Sequence, residues 1–490
     1  MASRAMPLPT APRRARIFVF PPYFGFVAAV LGAILLLGPH PALGLLSLVV
    51  LVLGVGLLWR PNEIPSMLFF FGYQWLESSL NLVRAFFSGM TVYEQTTTPG
   101  AHETAVALTL TGLLCVVAGL RFFAGPTTIE ASVLVRQQVL AVPVRKWITA
   151  YLVSMVTSLI LLELSRFSGG LSQPLLALAS LKWAFFLILT YAVFAETRGY
   201  KLVWLAIFGF EFLLSLGGYF SSFRLVFIYA FLGILGAAPR MTSKQVTLLA
   251  LTATVAVFLG TVWTAIKLDY REYVNQGTRS QTVLVSRSQQ VERMVTLSTQ
   301  LSADDIGVAL SSLADRISYT QFFGAAISYV PAIRPHTEGA IAASGITRPF
   351  MPRVLFPNKE PIDESEHTNE FTGLGVSGIE QGTQISIGYM GDAYIDFGKL
   401  GMMAALFTLG CGLGLFYRRM TQGQHTRGII GGGIAAVLMV DMSDIGIGGE
   451  KLLAGIVIWI VMISIFVYSA LPNMRRWLGL VQRTLSPRNR

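Results

Sequence analysis

The hydrophobic positions of the chain fall into twelve long runs, and this pattern predicts a series of membrane-spanning helices. A helix needs about 20 mostly apolar residues to cross a bilayer. Helices are expected because lipid offers no hydrogen-bond partner to an unpaired backbone group. The eighth and eleventh runs are shorter and rich in glycine. The runs lie near residues 18–38, 41–59, 65–87, 104–123, 148–165, 173–195, 202–219, 225–238, 246–267, 399–416, 429–442 and 452–471.

The composition agrees with this pattern. Of the 490 residues, 53% are hydrophobic and 13% are charged, whereas soluble domains carry about 25% charged residues. We therefore expect an all-α integral membrane protein. The two cysteines, Cys115 and Cys411, lie inside apolar runs without a metal-binding spacing, so neither a disulfide nor a metal site is expected.

The basic residues of the short loops predict the orientation. They concentrate in every second loop, whereas the loop "SGMTVYEQTTTPGAHE" on the other side has none. Because cytoplasmic loops carry an excess of Lys and Arg, this alternation predicts a multi-pass membrane protein with both termini in the cytoplasm. The net charge of +11 then reflects topology, and the expected partner is the bilayer, not nucleic acid. The cations concerned are Arg13, Arg14, Arg16, Arg60, Arg121, Arg136, Arg145, Lys146, Arg198, Lys201, Arg240, Lys244, Arg418, Arg419, Arg427 and those of the C-terminal tail.

One outer loop is far longer than the others, which divides the chain into three parts. We expect a bundle of about nine helices in 1–267, a large extracytoplasmic loop in 268–398, and three helices with a basic tail in 399–490. In the first half of the loop, apolar residues recur at helical spacing, and "SADD" from Ser302 is typical of a helix N-terminus. The second half is rich in proline and glycine, which predicts irregular structure.

The loop is rich in arginine, with eight arginines and one lysine. A guanidinium binds phosphate through paired hydrogen bonds, so these residues suit a pyrophosphate headgroup. Arg316 falls on a predicted helix, whereas Arg353 and Lys359 flank "VLFPN", in which prolines restrict the backbone. The alternative is that the arginines pair with the loop's own acids, which outnumber them.

Two further polar sets lie at the membrane. Lys267 and Arg271 are spaced i, i+4 where the ninth run leaves the bilayer, so they either bind a lipid headgroup or simply extend toward the interface. A stripe on the third run either lines a groove for glycan or forms a buried seam between helices. The stripe consists of Gln74, Glu77, Asn81 and Arg84.

The motifs of the loop resemble one known family. The runs "LADRISYTQFFGAAISYVPAI", "RPFMPRVLFPNKEP" and "GYMGDAYIDFGKLG" follow in an order that is similar to the Wzy-like oligosaccharide repeat unit polymerases of O-antigen, capsule and exopolysaccharide assembly. The stretch "KLDYRE" also resembles a Lys-x-x-Tyr-Arg pattern of that family. The chain differs from it at Asp392, where many relatives have glutamate. The acidic run "IDESEH" has no counterpart in that pattern.

The resemblance implies a GT-C-like glycosyltransferase that uses neither a metal ion nor a cofactor. Its donor and acceptor would both be glycans linked to undecaprenyl pyrophosphate, joined on the outer face of the membrane. A polysaccharide chain-length regulator is a further candidate partner. Two other functions stay open: an O-antigen ligase, and a transporter or flippase of lipid-linked glycan. A transporter is expected to show repeated halves, which this sequence lacks.

The predicted site residues follow from this chemistry. Cations must hold the pyrophosphate as the C1–O bond breaks, and Arg316, Arg353 and Lys359 are the catalytic candidates, with Arg348 and Tyr394 at the headgroup. A base must accept the proton of the attacking hydroxyl. The candidates for the base are His367, Glu364, Glu366, Glu370, Asp392 and Asp396.

Among these candidates, His367 and Asp392 are the two that we assign as catalytic. His367 has the ordinary pKa best suited to proton transfer. The alternatives are that His367 is a solvated surface residue and that Asp392 and Asp396 mark only the start of a helix.

Overall fold

The structure is a computed structural model that describes residues 18–61, 63–96, 98–125, 129–195, 199–216, 223–238, 243–278, 283–352, 355–356, 358–378 and 383–480. Within these ranges, every regular element is a helix. The α-helices are α1 Phe24–Leu37, α2 Pro41–Leu58, α3 Ser66–Ser88, α4 His102–Ala124, α5 Ile129–Ala141, α6 Val144–Phe167, α7 Ser172–Ala179, α8 Lys182–Ala195, α9 Lys201–Leu216, α10 Arg224–Ala237, α11 Ser243–Val274, α12 Arg287–Thr299, α13 Ala303–Ile317, α14 Thr320–Tyr329, α15 Ala340–Thr347, α16 Glu364–Thr372, α17 Tyr389–Gln422, α18 Ile429–Asp441, α19 Gly449–Ser469 and α20 Leu471–Leu478. Short 3₁₀ helices span Gly169–Leu171 and Arg348–Phe350.

Seven helical segments of the described chain are long and apolar enough to cross a membrane. Three shorter apolar helices, α1, α10 and α18, accompany them. Each of the twelve apolar runs contains a helix, which confirms the all-helical membrane fold, whereas the number of twelve spans stays a prediction. The seven segments are Pro41–Leu58, His102–Ala124, Val144–Phe167, Gly169–Ala195, Leu249–Val274, Tyr389–Gln422 and Gly449–Ser469.

Small residues bring α4 and α17 into close contact. A Cβ atom on Gly410 would lie 2.1 Å from the carbonyl oxygen of Val116, and one on Gly414 would lie 2.4 Å from that of Leu120. Such spacing of small residues lets helix backbones approach closely in a membrane, where apolar burial does not drive association. This contact joins the N-terminal and C-terminal parts of the bundle.

A buried ion pair lies inside the bundle. Glu211 of α9 is 1% exposed and accepts hydrogen bonds from Lys182 Nζ at 2.8 Å and from the Tyr151 hydroxyl at 2.6 Å. Charges within the membrane are costly unless they are paired. The pair therefore ties α6, α8 and α9 together.

The long segment between α11 and α17 is more helical than its sequence suggests. Ser302 caps α13 through a reciprocal capping box with Asp305, as the "SADD" pattern predicts. The second half, predicted to be irregular, contains α15 and α16. In α16, the side chain of Asp363 accepts hydrogen bonds from the backbone N–H groups of Ser365 and Glu366, which starts the helix inside an acidic run.

Helix α17 is broken at Gly398, which adopts a φ of 66° and a ψ of −174°. A side chain at this residue would be strained, since L-residues rarely adopt a positive φ. The break separates the first turns of α17, which carry Asp392 and Asp396, from the longer part of the helix that follows. Asp392 lies in the first turn of the helix, which confirms the predicted helix start.

Candidate functional site

A polar pocket of about 290 Å³ lies at the N-terminal ends of α17 and α19. Helices α15 and α16 form its other walls, and both belong to the long segment between α11 and α17. The pocket is therefore built where that segment returns to the bundle. It is lined by Ala340, Ile341, Ser344, Arg348, Glu360, Pro361, Ile362, Asp363, Glu364, His367, Phe371, Ser386, Asp392, Gly448, Glu450 and Lys451.

His367 and Asp392 form a hydrogen-bonded pair in this pocket. The imidazole Nε2 lies 2.9 Å from Asp392 Oδ1, and the Asp392 side chain is only 4% exposed. An ionised Asp392 accepts this hydrogen bond, which places the hydrogen of a neutral imidazole on Nε2. No described residue hydrogen-bonds to Nδ1, so this nitrogen keeps a lone pair that can accept a proton.

The surroundings of His367 adjust its pKa. Burial by itself lowers the pKa, because it disfavours the imidazolium ion. The hydrogen bond and the charge of Asp392 outweigh this effect, with smaller contributions from Glu370 and Glu450, so the pKa of His367 is raised above its usual value. His367 therefore holds a proton more firmly than a free histidine does, which suits a residue that must accept one.

Two glycines at the N-terminus of α19 hold the carboxylates of the pocket. The N–H of Gly449 donates to Asp392 Oδ2 at 2.7 Å, and the N–H of Gly448 donates to Glu364 Oε1 at 3.2 Å. The positive end of the α19 dipole favours carboxylates at this place. A Cβ on Gly448 would lie 2.8 Å from Glu364 Oε1, so a side chain here would displace the carboxylate.

Each cation of the pocket is paired with a carboxylate. Lys451 Nζ lies 2.6 Å from Glu364 Oε2 and also donates to the side-chain oxygen of Gln384. Arg348 Nη1 lies 3.1 Å from Glu450 Oε1, which also accepts a hydrogen bond from the Ser344 hydroxyl. The pocket lining has five carboxylates, one arginine and one lysine, so it suits the hydroxyl groups of a neutral polar molecule better than a free pyrophosphate.

Of the other predicted bases, Glu364 lines the pocket, whereas Glu366, Glu370 and Asp396 do not, and Glu366 is exposed. Asp396 accepts hydrogen bonds from the Thr337 hydroxyl and from the backbone N–H groups of Ile341 and Ala342, so it caps α15. Glu370 pairs with Arg334 at 3.0 Å. The described residues contain no group of three or more His, Cys, Asp or Glu side chains that could hold a metal ion.

The predicted Pro-Arg element lies beside the pocket. Arg353 falls outside the described residues. Lys359 donates hydrogen bonds to the carbonyl oxygens of Arg348 and Met351, at 2.6 and 3.1 Å, and so folds this segment back onto Arg348. Tyr394 is buried, and its hydroxyl donates to the carbonyl oxygen of Val330 at 2.9 Å. Among the described residues Lys359, Tyr394 and Arg348, only Arg348 lines the pocket.

A second group of cations forms where α11 packs against α13. The positive charges of Arg316 and Arg271 both act on the half-buried Lys267. Neither Lys267 nor Arg316 makes a hydrogen bond or an ion pair with a described residue. We call Lys267, Arg271 and Arg316 the cation cluster. Three like charges held together attract an anion, and a lipid phosphate at the membrane surface is the nearest source.

Tyr319 links the cation cluster to the pocket. Its hydroxyl accepts a hydrogen bond from the backbone N–H of Ser386, which lines the pocket, at 3.0 Å. The charges of Glu364, in the pocket, and of Arg316, in the cluster, both act on this hydroxyl. The two groups of charges are therefore neighbours on the same end of the bundle.

The polar stripe of α3 packs against other elements. Glu77 accepts a hydrogen bond from the N–H of Ile445 at 2.8 Å, and Asn81 Nδ2 donates to the Thr320 hydroxyl at 3.4 Å. Arg84, further out, forms an ion pair with Asp315. Glu77 and Asn81 are both 3% exposed, which is the environment of a buried seam rather than of an open groove.

Part of this site lies outside the residues predicted from the sequence, namely Gly448, Gly449, Glu450 and Lys451. The stretch "GIGGEKLL" nevertheless places backbone N–H groups and charges at the start of an apolar run. This pattern could have indicated a carboxylate-binding helix N-terminus, because the unpaired N–H groups of a helix N-terminus attract carboxylates. Ser386 and Tyr319 carry no comparable pattern.

The fold and the pocket define a helical membrane protein with a polar site at the N-terminal ends of two of its long apolar helices. Residues 90–419 match a domain family described as a domain of unknown function (DUF8712). The match covers well over half of the chain, so the protein belongs to this family. No curated protein and no solved structure matches it.

Proposed function

We propose that the protein polymerises oligosaccharide repeat units carried on undecaprenyl pyrophosphate, by glycosyl transfer on the outer face of the bacterial plasma membrane. The observation that carries this proposal is the His367–Asp392 pair, held in a polar pocket beside the cation cluster. The resemblance of the loop motifs to Wzy-like polymerases supports the same reaction class.

In the proposed step, a hydroxyl of the acceptor sugar lies in the pocket. Its oxygen attacks C1 of the donor sugar while its proton passes to Nδ1 of His367. The bond between C1 and the pyrophosphate oxygen breaks, and the electron pair leaves with the pyrophosphate. Asp392 stabilises the imidazolium ion that forms, and the proton is then released to solvent.

The leaving group gains negative charge as this bond breaks. The cation cluster brings the positive charges of Arg271 and Arg316 to bear on Lys267, so it is the better candidate for the pyrophosphate. Arg348 and Lys451, whose charges are balanced by Glu450 and Glu364, are the better candidates for orienting sugar hydroxyls. Bidentate guanidinium groups suit both tasks.

The test uses the full-length protein in lipid nanodiscs with a lipid-linked repeat unit from a host that encodes the chain. A ladder of glycans should form in the presence of EDTA. His367→Gln should slow ladder formation by about 10² to 10⁴-fold, the usual contribution of a general base. Glu366→Gln is the matched control, because Glu366 lies on the same helix but is exposed, and it should keep the wild-type rate.

Other outcomes separate the alternatives. A single transfer to a lipid A core acceptor, without a ladder, would replace the polymerase with a ligase. Movement of the intact lipid-linked unit across a sealed vesicle, without any transfer, would replace it with a transporter. A folded His367→Gln variant with the wild-type rate would remove His367 from the mechanism.

A further inference from the structure

An apolar crevice of about 700 Å³ opens between α17 and α19, toward the end of the bundle opposite the polar pocket. Both helices begin at the pocket and end at this crevice, so the two features are separated by the length of the membrane spans. The crevice is wide enough for an alkyl chain. It is lined by Gly412, Leu415, Phe416, Arg419, Met420, Gln422, Gly423, Gln424, His425, Thr426, Ile460, Ser464, Val467 and Tyr468.

The mouth of the crevice is basic. Arg419 Nη2 lies 3.4 Å from the Tyr468 hydroxyl, and the ring of His425 packs against that of Tyr468. A second cavity of about 880 Å³ shares Gln422, Gln424 and His425 with the crevice. It adds the side chains of Arg427, Arg475 and Arg476. An apolar slot therefore ends in a polar chamber with several guanidinium groups.

Among the residues that the structure describes, no aspartate or glutamate lines either cavity. The sequence explains this absence, since it has no acidic residue between Lys399 and Val440 and none after Glu450. The cations of the chamber therefore have no carboxylate partner among its described lining residues. Arg475, for example, donates a hydrogen bond to the backbone carbonyl of His425 at 2.5 Å. Cations that are concentrated without acids require an anion from outside the chain.

Helix α20 closes the chamber and has the character of an interfacial helix. Leu471 and Leu478 are buried against the bundle, whereas Arg476 and Trp477 are exposed. Lys146 at the start of α6 donates to the carbonyl oxygen of Trp477 at 2.6 Å. Tryptophan and arginine are typical of the headgroup level of a bilayer, so the chamber lies where lipid phosphates are found.

We propose that this crevice binds an anionic phospholipid. One acyl chain lies between α17 and α19, and the phosphate lies in the chamber, within reach of Arg419 and Arg475. A soluble anion would fill the chamber but leave the apolar slot empty, and an uncharged lipid would leave the arginines without a counter-charge. Basic pockets between membrane helices bind anionic headgroups in this manner. The positive-inside pattern predicts that the lipid belongs to the cytoplasmic leaflet.

The experiment measures lipid binding to the full-length protein by native mass spectrometry and by thermal unfolding in detergent. Phosphatidylglycerol and phosphatidylcholine with identical acyl chains are compared. The wild type should bind phosphatidylglycerol at least about tenfold more tightly and unfold at a higher temperature with it, since a charge-assisted hydrogen bond accounts for about that factor. The double variant Arg419→Gln, Arg475→Gln should lose this preference.

The control variant is Arg145→Gln. Arg145 lies at the same end of the bundle, is exposed, and bonds to the Tyr200 hydroxyl at 3.0 Å much as Arg419 bonds to that of Tyr468. It should keep the preference for phosphatidylglycerol, which excludes a general effect of surface charge. If the double variant does not fold, Gly412→Leu provides a second test, because it fills the crevice from α17 and should weaken binding of the lipid.

Three results would overturn the proposal. The first is that the wild type binds the two lipids equally well. The second is that Arg145→Gln loses the preference for phosphatidylglycerol as fully as the double variant does. The third is that inorganic phosphate stabilises the protein as much as phosphatidylglycerol does. The last result would identify a site for a free anion.

Discussion

At the scale of single residues, the pair of His367 and Asp392 makes the proposed chemistry depend on pH. Only the neutral imidazole can accept a proton, so activity should fall as the pH falls through the raised pKa of His367. Asp392→Asn removes the charge that raises this pKa. The acid limb of the kcat/KM profile should therefore move to lower pH, and the plateau should drop by about 10² to 10⁴-fold as the ring loses its orientation.

The control for this profile is Glu366→Gln, whose acid limb should coincide with that of the wild type. An acid limb that stays in place, or that moves to higher pH, in folded Asp392→Asn would contradict the assignment of His367 as the base. The same pKa shift affects stability. Its stabilising contribution is complete below the ordinary histidine pKa of about 6.5 and is lost as the pH rises through the raised value.

The buried pair of Lys182 and Glu211 gives a second prediction for single residues. Lys182→Met leaves the Glu211 carboxylate buried without its counter-charge, and should reduce the free energy of unfolding by about 3–5 kcal/mol. Adding Glu211→Gln should recover much of this loss. Unfolding of the detergent-solubilised protein by denaturant measures both effects.

The comparison for that measurement is Arg166→Gln, which breaks an ion pair whose side chains are 70% and 61% exposed. It should cost at most about 1 kcal/mol, since water screens an exposed pair. If Lys182→Met and Arg166→Gln reduce the free energy of unfolding equally, burial of the Lys182–Glu211 pair is not the cause of the loss.

At the scale of elements, the contact of α4 with α17 depends on backbone approach. Gly410→Ala puts a methyl group against the carbonyl oxygen of Val116, which cannot move aside as a side chain can. The variant should lose about 1–3 kcal/mol of unfolding free energy, the usual range for overpacking. The same unfolding measurement tests this value.

Gly412 serves as the matched control on the same helix, because a Cβ there would meet no atom within 4 Å. Gly412→Ala should be neutral or slightly stabilising, since alanine favours a helix over glycine by about 1 kcal/mol. If both alanine variants lose the same stability, helix packing at Gly410 is not the cause.

At the scale of the whole molecule, the predicted topology places the pocket and the basic chamber on opposite sides of the membrane. After Cys115→Ala and Cys411→Ala, single cysteines can replace the exposed residues Ser311 and Gln424. A membrane-impermeant maleimide added to intact cells should label Ser311→Cys and leave Gln424→Cys unlabelled. Permeabilised cells should label both. The reverse pattern in intact cells would invert the orientation and place the proposed reaction in the cytoplasm.

Local patterns determined much of the architecture. The length of an apolar run, the interruption of a helix by glycine or proline, and the cap at Ser302 are all local features. They depend on residues a few positions away, because a helix forms through hydrogen bonds between residues four apart. For this reason the helices of the bundle, the helix that carries Arg316 and the start of α17 at Asp392 could all be predicted. Helix α16 was not predicted, since an acidic run next to prolines has the composition of a loop. In the structure, the side chain of Asp363 caps this run and a helix begins there.

The site itself was decided by tertiary packing. His367, Asp392 and Gly449 lie on three different elements, and their hydrogen bonds join positions 25 and 57 residues apart. A periodic pattern in the sequence cannot predict contacts between residues so far apart along the chain. The sequence by itself determined that the chain forms long apolar helices and that a long, charged segment separates α11 from α17. Only the folded structure decided which acid meets His367, because that choice depends on how α16, α17 and α19 converge at one end of the bundle.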